Sequence, residues 1–206
     1  MQRLASAVLL AAMLLTGCSM EAKEMNRAVD LRSRLLTAPG CSFQAEITAD
    51  YGDSLQQFTV DCRGDGQGNL DFQVQEPETI RGITGRISQA GGRLTFDETA
   101  LQFDLLTDQQ LSPVSAPWVF LSTLRGGYLT GAGMEGELLR LQARDSYREG
   151  ALLLDIWLDG SDSPVRAEIL WNGWKVLTLQ ISGFRLEERT AQAFLPGKYN
   201  FTTCVG

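Results

Sequence analysis

The sequence predicts a mainly β fold of the α+β class, with roughly ten antiparallel strands and two helices. From residue 41 onward, apolar and polar residues alternate in short runs separated by turn residues, as in half-buried strands. Two stretches, 19–37 and 113–124, instead repeat apolar residues every three or four positions, as amphipathic helices do. The chain has no internal repeat and no break in composition, so we expect one main domain.

The N-terminus has the features of a lipoprotein signal peptide. Arg3 precedes an apolar run, 4–15, that is shorter than the ~20 residues of a membrane-spanning helix. The run ends in a lipobox, Leu-Thr-Gly-Cys at 15–18, so we expect cleavage before Cys18 and acylation of its thiol. The lipid would hold the protein on the extracytoplasmic face of the cell membrane. The predicted organisation is a signal peptide at 1–17, a lipidated tether at 18–20, the main domain at 21–190 and an irregular tail at 191–206.

Charge and composition exclude several classes of function. The formal net charge is -7, which argues against nucleic acid as a partner and against electrostatic docking on anionic lipid. The sequence contains no histidine, which excludes Ser-His-Asp and Cys-His catalysis and the usual zinc sites. The carboxylates lie on the polar phase of strands or in turns, as on a solvated surface. We therefore expect no enzyme, no cofactor and no metal site.

The first helix, 19–37, is predicted to cover the sheet through one apolar face. We place on that face Ala22, Met25, Val29 and Leu36, with Ala28 and Leu35 beside them. An alternative interpretation is a lever that links the membrane to the domain. Pro39-Gly40 ends the helix in either case.

The first strands form hairpins whose registers follow from keeping the apolar faces together. A turn at Tyr51-Gly52 places Ala45 opposite Phe58 and Cys41 opposite Cys62. Directly opposed strand residues have Cα atoms about 4.5–5.5 Å apart, within disulfide range. We therefore predict a disulfide between Cys41 and Cys62, with Cys204 left over. Two reduced cysteines that act as small apolar residues are the alternative.

Further hairpins follow along the chain. Strands near 70–74 and 80–87 precede a hairpin that pairs Phe96 with Leu101. After the second helix, the glycine-rich stretch 126–136 is interpreted either as a mobile lid or as a plain loop. A four-strand meander closes the domain, and a three-residue bulged loop, 171–173, is predicted to place Ala167 opposite Leu177. Trp157 is predicted to face outward and Trp174 to flank the bulged turn, and both are candidates for contact with a protein partner.

Local motifs resemble the LolA/LolB lipoprotein-carrier superfamily, in particular the lipid-anchored, GerS-like members of Gram-positive bacteria. The motifs are Glu76-Pro77-Glu78-Thr79-Ile80-x-Gly82-Ile83, Gly92-x-Leu94-x-Phe96, the helix 113–124 and Ile181-Ser182-Gly183-Phe184. The resemblance implies a curved antiparallel half-barrel whose concave apolar face is covered by helices. It also implies binding of an acyl chain or another amphiphile.

Two functional hypotheses follow. The first is a membrane-anchored, non-enzymatic binder of an acyl chain or other amphiphile, whose cavity the large in-phase apolar face would line. A fully packed core would use the same residues. The second is a protein-binding scaffold for a cell-envelope or sporulation cell-wall hydrolase, suggested by the fixed anchor, Trp157 and the tail from Glu187 onward. The candidate pocket residues are Phe43, Ile47, Phe58, Phe72, Phe103, Trp118 and Leu179.

Overall fold

The computed structural model describes residues 22–52, 54–96, 99–103, 106–107, 110–148 and 150–188. The signal peptide, Cys18, Cys204 and the tail 191–206 lie outside these residues, so what the sequence predicts for them stays a prediction. Within the described ranges, two helices, α1 at 22–37 and α2 at Ala116–Gly126, cover one face of an eleven-stranded antiparallel sheet. The sheet is open rather than closed, and the predicted fold class is confirmed.

The sheet is built from two meanders that meet in its middle. The spatial order is β6-β5-β4-β3-β2-β1-β13-β12-β11-β10-β9, so the first strand pairs with the last. A separate small sheet contains β7 and β8. The strands are β1 Gly40–Asp50, β2 Leu55–Asp65, β3 Leu70–Glu76, β4 Thr84–Ser88, β5 Gly91–Phe96, β6 Thr99–Phe103, β7 Leu106–Thr107, β8 Gln110–Leu111, β9 Tyr128–Glu135, β10 Leu138–Arg144, β11 Leu153–Leu158, β12 Pro164–Trp171 and β13 Trp174–Leu186.

The core lies between the sheet and the two helices. Along β1, every second side chain is buried, because alternate strand residues point to the same face. Helix α2 fills the space above this face with three fully buried side chains, Phe120, Leu121 and Leu124. Burial of an aliphatic or aromatic side chain contributes about 1.5–3 kcal/mol, so this packing is the main source of stability.

The buried face of α1 differs from the predicted one. Ala28, Leu31 and Leu35 are buried, whereas Val29 and Leu36 are 50% and 52% exposed. The helix carries two apolar stripes, and two arginines within it bind the rest of the domain in the observed orientation. The Arg27 guanidinium donates to Asp162 Oδ1 at 2.7 Å, and Arg32 Nε donates to the Leu124 carbonyl at 2.8 Å.

The predicted β1–β2 register is wrong by two residues. The strands are joined by residues 51–54, and the Tyr51 amide donates to the Ser54 carbonyl at 3.0 Å. This connection is longer than the two-residue turn we expected, so Cys41 lies opposite Gly64 and Phe43 lies opposite Cys62. The two cysteines are diagonal neighbours on one face, both buried and both free thiols. The structure therefore does not contain the predicted Cys41–Cys62 disulfide.

Two other predicted hairpin registers are also displaced by two residues. Leu94 pairs with Leu101 instead of Phe103. In β12–β13, a two-residue turn joins Trp171 to Trp174, and Asn172 and Gly173 have φ angles of 50° and 82°, as a type I′ turn requires. An irregularity one step further along the ladder restores the apolar phase, so no bulged three-residue loop is needed.

The glycine-rich stretch after α2 is neither a lid nor a loop. Residues Tyr128–Glu135 form β9, the edge strand that pairs with β10. Gly127 is required by close approach, because an added Cβ would lie 2.7 Å from the Arg144 carbonyl oxygen. Glycine composition alone is therefore a poor guide to mobility here.

A substitution at Gly64 tests the packing of α2 on the sheet. A Cβ at Gly64 would lie 2.4 Å from Leu121 Cδ2 and 3.0 Å from Cys41 Sγ. We expect Gly64→Ala to lower the free energy of unfolding by about 1–3 kcal/mol through overpacking, measured by denaturant titration. Gly133→Ala is the matched control, because nothing lies within 4 Å of its added Cβ. Equal effects of the two substitutions would contradict this account of the core.

Candidate functional site

The predicted pocket residues mostly face the helices. Five of them, Phe43, Ile47, Phe58, Phe72 and Leu179, are buried in the core, while Phe103 and Trp118 are partly buried against it. Phe43, for example, packs edge-on against Phe120 of α2 with ring centroids 5.7 Å apart. Helical side chains therefore occupy the centre of the concave face, and the cavities found among the described residues lie toward its margins.

A groove of about 790 Å³ lies between α2 and the turns that follow β2 and β4. Trp118 lines it, but its Nε1 donates to the Gly68 carbonyl at 2.9 Å. Arg125 Nη2 donates to the Gly66 carbonyl at 2.7 Å. Internal hydrogen bonds thus use the strongest donors of this groove, which makes it a weak candidate for a ligand site.

A second cavity, of about 420 Å³, opens at the end of the sheet where the β1–β2 connection meets the β12–β13 hairpin. We call it the mouth cavity. The Tyr51 hydroxyl donates to the Leu111 carbonyl at 2.5 Å and fixes the wall on one side. The residues that line the cavity are Asp50, Tyr51, Gly52, Leu111, Trp171, Trp174, Lys175 and Val176.

The β12–β13 hairpin shapes the opposite wall. Because Trp171 pairs directly with Trp174, two indoles stand at the turn, one packed against the core and the other 78% exposed. Val176 occupies the irregular position of the ladder, where a side chain is re-aimed relative to the regular alternation. The sequence contains a signal for this site, since two tryptophans flank an Asn-Gly turn. The predicted three-residue loop does not pair these tryptophans, so the site was not predicted.

Lys175 supplies a positive charge at the rim of the mouth cavity. Its Nζ lies 3.1 Å from Glu168 Oε1, and the side chain is about half exposed. Glu168 also contacts Arg166. Asp50, the other charged residue of the lining, accepts a hydrogen bond from the Gly52 amide at 2.9 Å. The rim thus joins aromatic walls to one accessible ammonium group.

The two tryptophans predicted to contact a partner differ in exposure. Trp174 is largely exposed, whereas Trp157, which the sequence predicts to face outward, is only 5% exposed. Its ring contacts two guanidinium groups, that of Arg166 at 4.7 Å and that of Arg140 at 5.4 Å from the ring centroid. The long side chains of neighbouring strands cover the indole, so Trp157 is a packing residue of the outer face and not an exposed anchor.

An apolar part of the concave face remains uncovered near the open edge of the sheet. Leu94 and Phe103 are partly buried, while Phe96 and Leu101 are more than half exposed. The Phe103 ring lies over Gly92, where an added Cβ would come within 2.1 Å of Cζ. We call these four side chains the open wing.

Among the described residues we find no metal site, no membrane-spanning helix and no reactive thiol. In these ranges, no cluster of three or more Cys, Asp and Glu residues could bind a metal ion, and no helix is both long and apolar enough to cross a membrane. Burial raises the pKa of the Cys41 thiol to about 11 and that of Cys62 well above its usual value. Such thiols are poor nucleophiles at neutral pH.

Comparisons with known proteins find similarity only in structure. No protein-family model and no curated protein matches the sequence. A LolA superfamily protein from Nitrosomonas europaea aligns at 10% identity and a TM-score of 0.42, covering 76% of this chain and 91% of the other. An uncharacterized conserved protein from Thermus thermophilus aligns at 12% identity and a TM-score of 0.45, covering 81% of this chain and 89% of the other. The Mycobacterium tuberculosis lipoprotein LppX aligns at 14% identity and a TM-score of 0.38, covering 79% of this chain and 93% of the other. These are similarities of layout at low identity, and they say nothing about ligand or activity.

The two buried thiols give a pH-dependent prediction. Because the pKa of Cys41 is about 11 in the folded protein and near 9 when unfolded, the thiolate favours the unfolded chain. The free energy of unfolding is therefore expected to fall as pH rises from about 9 to about 11, and Cys41→Ala should reduce that fall, measured by denaturant titration.

Alkylation provides the control for this prediction. In a Cys204→Ser background and without reductant, Cys41 and Cys62 should not react with iodoacetamide at pH 8 in the folded protein. Both should react once the protein is unfolded, still without reductant. If both cysteines stay unreactive in the unfolded protein and react only after a reductant is added, they form a disulfide. That result would contradict the structure, in which both are free thiols.

Proposed function

We propose that this protein is a membrane-anchored, non-enzymatic lipoprotein that binds the apolar chain of an anionic amphiphile in the mouth cavity. The observation that carries the proposal is the mouth cavity itself, where three aromatic residues, Tyr51, Trp171 and Trp174, meet around a space of about 420 Å³. Ligand pockets are typically 300–1,000 Å³, mostly apolar, with a few polar groups that fix orientation. The mouth cavity fits this description, and the larger groove beside α2 does not.

The charge at the rim narrows the ligand class. Lys175 is the cationic residue of the lining, and its ammonium group is accessible beside Trp174. A carboxylate or phosphate head group can replace part of its contact with Glu168, while the chain lies against the indoles. Fatty acids and singly charged lipids therefore suit the mouth cavity better than cationic amphiphiles do.

The location and the absence of catalysis rest on the sequence. The lipobox at 15–18 supports acylation of Cys18 and residence on the extracytoplasmic face of the membrane. The complete lack of histidine supports a role in binding rather than in hydrolysis. The resemblance to lipoprotein carriers favours an amphiphilic ligand.

Filling the mouth cavity should abolish binding. We expect Val176→Trp to block uptake of a dansylated C11 fatty acid by the purified, unacylated protein, measured by the rise in dansyl fluorescence. Trp174→Ala should weaken binding about tenfold without loss of fold, because its exposed indole contributes wall area but little core packing.

Val29→Trp is the matched control, since it makes the same change at a half-exposed site on α1. Lys175→Met should lower the affinity for the fatty acid more than the affinity for the corresponding alcohol. Unchanged affinity in both Val176→Trp and Trp174→Ala would overturn the assignment of the mouth cavity.

A second candidate function is a scaffold for a cell-envelope or sporulation cell-wall hydrolase. The open wing favours it, because an exposed apolar sheet face beside an unpaired edge strand is a common protein-docking surface. We expect Phe96→Lys combined with Leu101→Lys to release a co-purifying hydrolase while fatty-acid uptake stays intact. Retention of that hydrolase by the double variant would count against this role.

A further inference from the structure

Helix α1 presents an apolar stripe to the outside of the domain. Ala22, Met25, Val29 and Leu36 fall on one side of the helix, because these spacings return to the same face at 3.6 residues per turn. Ala22 is exposed, Val29 and Leu36 are each about half exposed, and Met25 is partly buried. We call these four residues the outer stripe. It is the face that the sequence predicts to be buried, and no described residue covers it fully.

The rotation of α1 is fixed, so the outer stripe cannot turn inward. Its opposite side is held in the core by Leu31 and Leu35. Arg27 pairs with Asp162, and Arg32 donates to two carbonyls at the end of α2, those of Leu124 at 2.8 Å and Thr123 at 3.3 Å. The stripe therefore stays at the surface as long as the domain is folded.

The occupant of this surface follows from the length of chain that precedes it. Residue 22 follows Cys18 by four positions along the chain, which span about 14 Å at full extension. If Cys18 is acylated, the first turn of α1 lies within that distance of the bilayer surface. The helix itself is about 24 Å long, so a modest tilt brings its whole outer side to the lipid.

We propose that the outer stripe rests on the bilayer that holds the Cys18 lipid and thereby fixes the orientation of the domain. This proposal rests on the predicted acylation but not on the mouth cavity. The stripe is too small to recruit the protein by itself, but the tether makes the contact intramolecular, with an effective concentration in the millimolar range.

A depth-dependent quenching experiment on the acylated protein in phosphatidylcholine vesicles tests this. In a Cys204→Ser background, an NBD label is placed at Val29→Cys or Leu36→Cys in the stripe, or at Asp30→Cys or Arg34→Cys as controls one or two residues away on the polar flank. We expect a bilayer-embedded quencher to reduce the emission of the stripe labels at least threefold more than that of the controls.

Two outcomes would overturn the proposal, and they are distinguishable. Protein that floats with the vesicles but shows equal quenching at all four sites is anchored without using the stripe. Protein that does not float has no lipid at Cys18, and the proposal fails together with the anchor. Fatty-acid uptake is measured on unacylated protein without vesicles, so neither outcome bears on the mouth cavity.

A second variant separates contact from folding. With the label at Met25→Cys, replacing Val29 and Leu36 by Asp should remove the quenching while flotation persists, because the lipid still holds the chain. Both replaced side chains are about half exposed, so the fold should survive, and far-UV circular dichroism checks that it does. Quenching that persists in the charged variant contradicts the proposal.

Discussion

The pairing of β1 with β13 is the contact on which the rest of the structure depends. It joins two meanders, β1–β6 and β9–β13, into one continuous sheet. Residues more than 130 positions apart, such as Ala45 and Ile181, lie side by side in this ladder. Only when it forms does the sheet become wide enough for its concave face to bury α1 and α2. A contact of such sequence separation forms late, after its loop-closure cost is met.

Filling the concave face has a direct consequence for function. Phe120, Leu121 and Leu124 of α2 occupy the space that an open half-barrel would offer to a ligand. Unfilled apolar space is thereby displaced to the margins: to the mouth cavity where the hairpin turns meet, and to the open wing beyond the reach of the helices. The two candidate functions correspond to these two margins, and each has a different chemical character. The lining of the mouth cavity contains two charged residues, Lys175 and Asp50, whereas the four side chains of the open wing are all apolar.

Several residues that look functional in the sequence have structural roles. Trp157 packs beneath two guanidinium groups whose charges are met by Asp155 and Glu168. Cys41 and Cys62 are buried as free thiols in the core, where they pack as small apolar side chains. In each case the neighbours across the strands, which are invisible in the sequence, decide between an exposed and a buried environment.

The periods of 2 and 3.6 are local properties of the chain, so the fold class, the two helices and most strands follow from the sequence alone. It did not determine register. All three incorrect hairpin registers, β1–β2, β5–β6 and β12–β13, are displaced by two residues, since such a shift leaves every side chain on the same face. Turn geometry decides between these alternatives, and it decided which residues line the mouth cavity. Likewise, periodicity could not choose between the two apolar stripes of α1. In the observed orientation Leu31 and Leu35 are buried and Arg27 contacts Asp162, 135 residues away, and these contacts exist only in the tertiary structure.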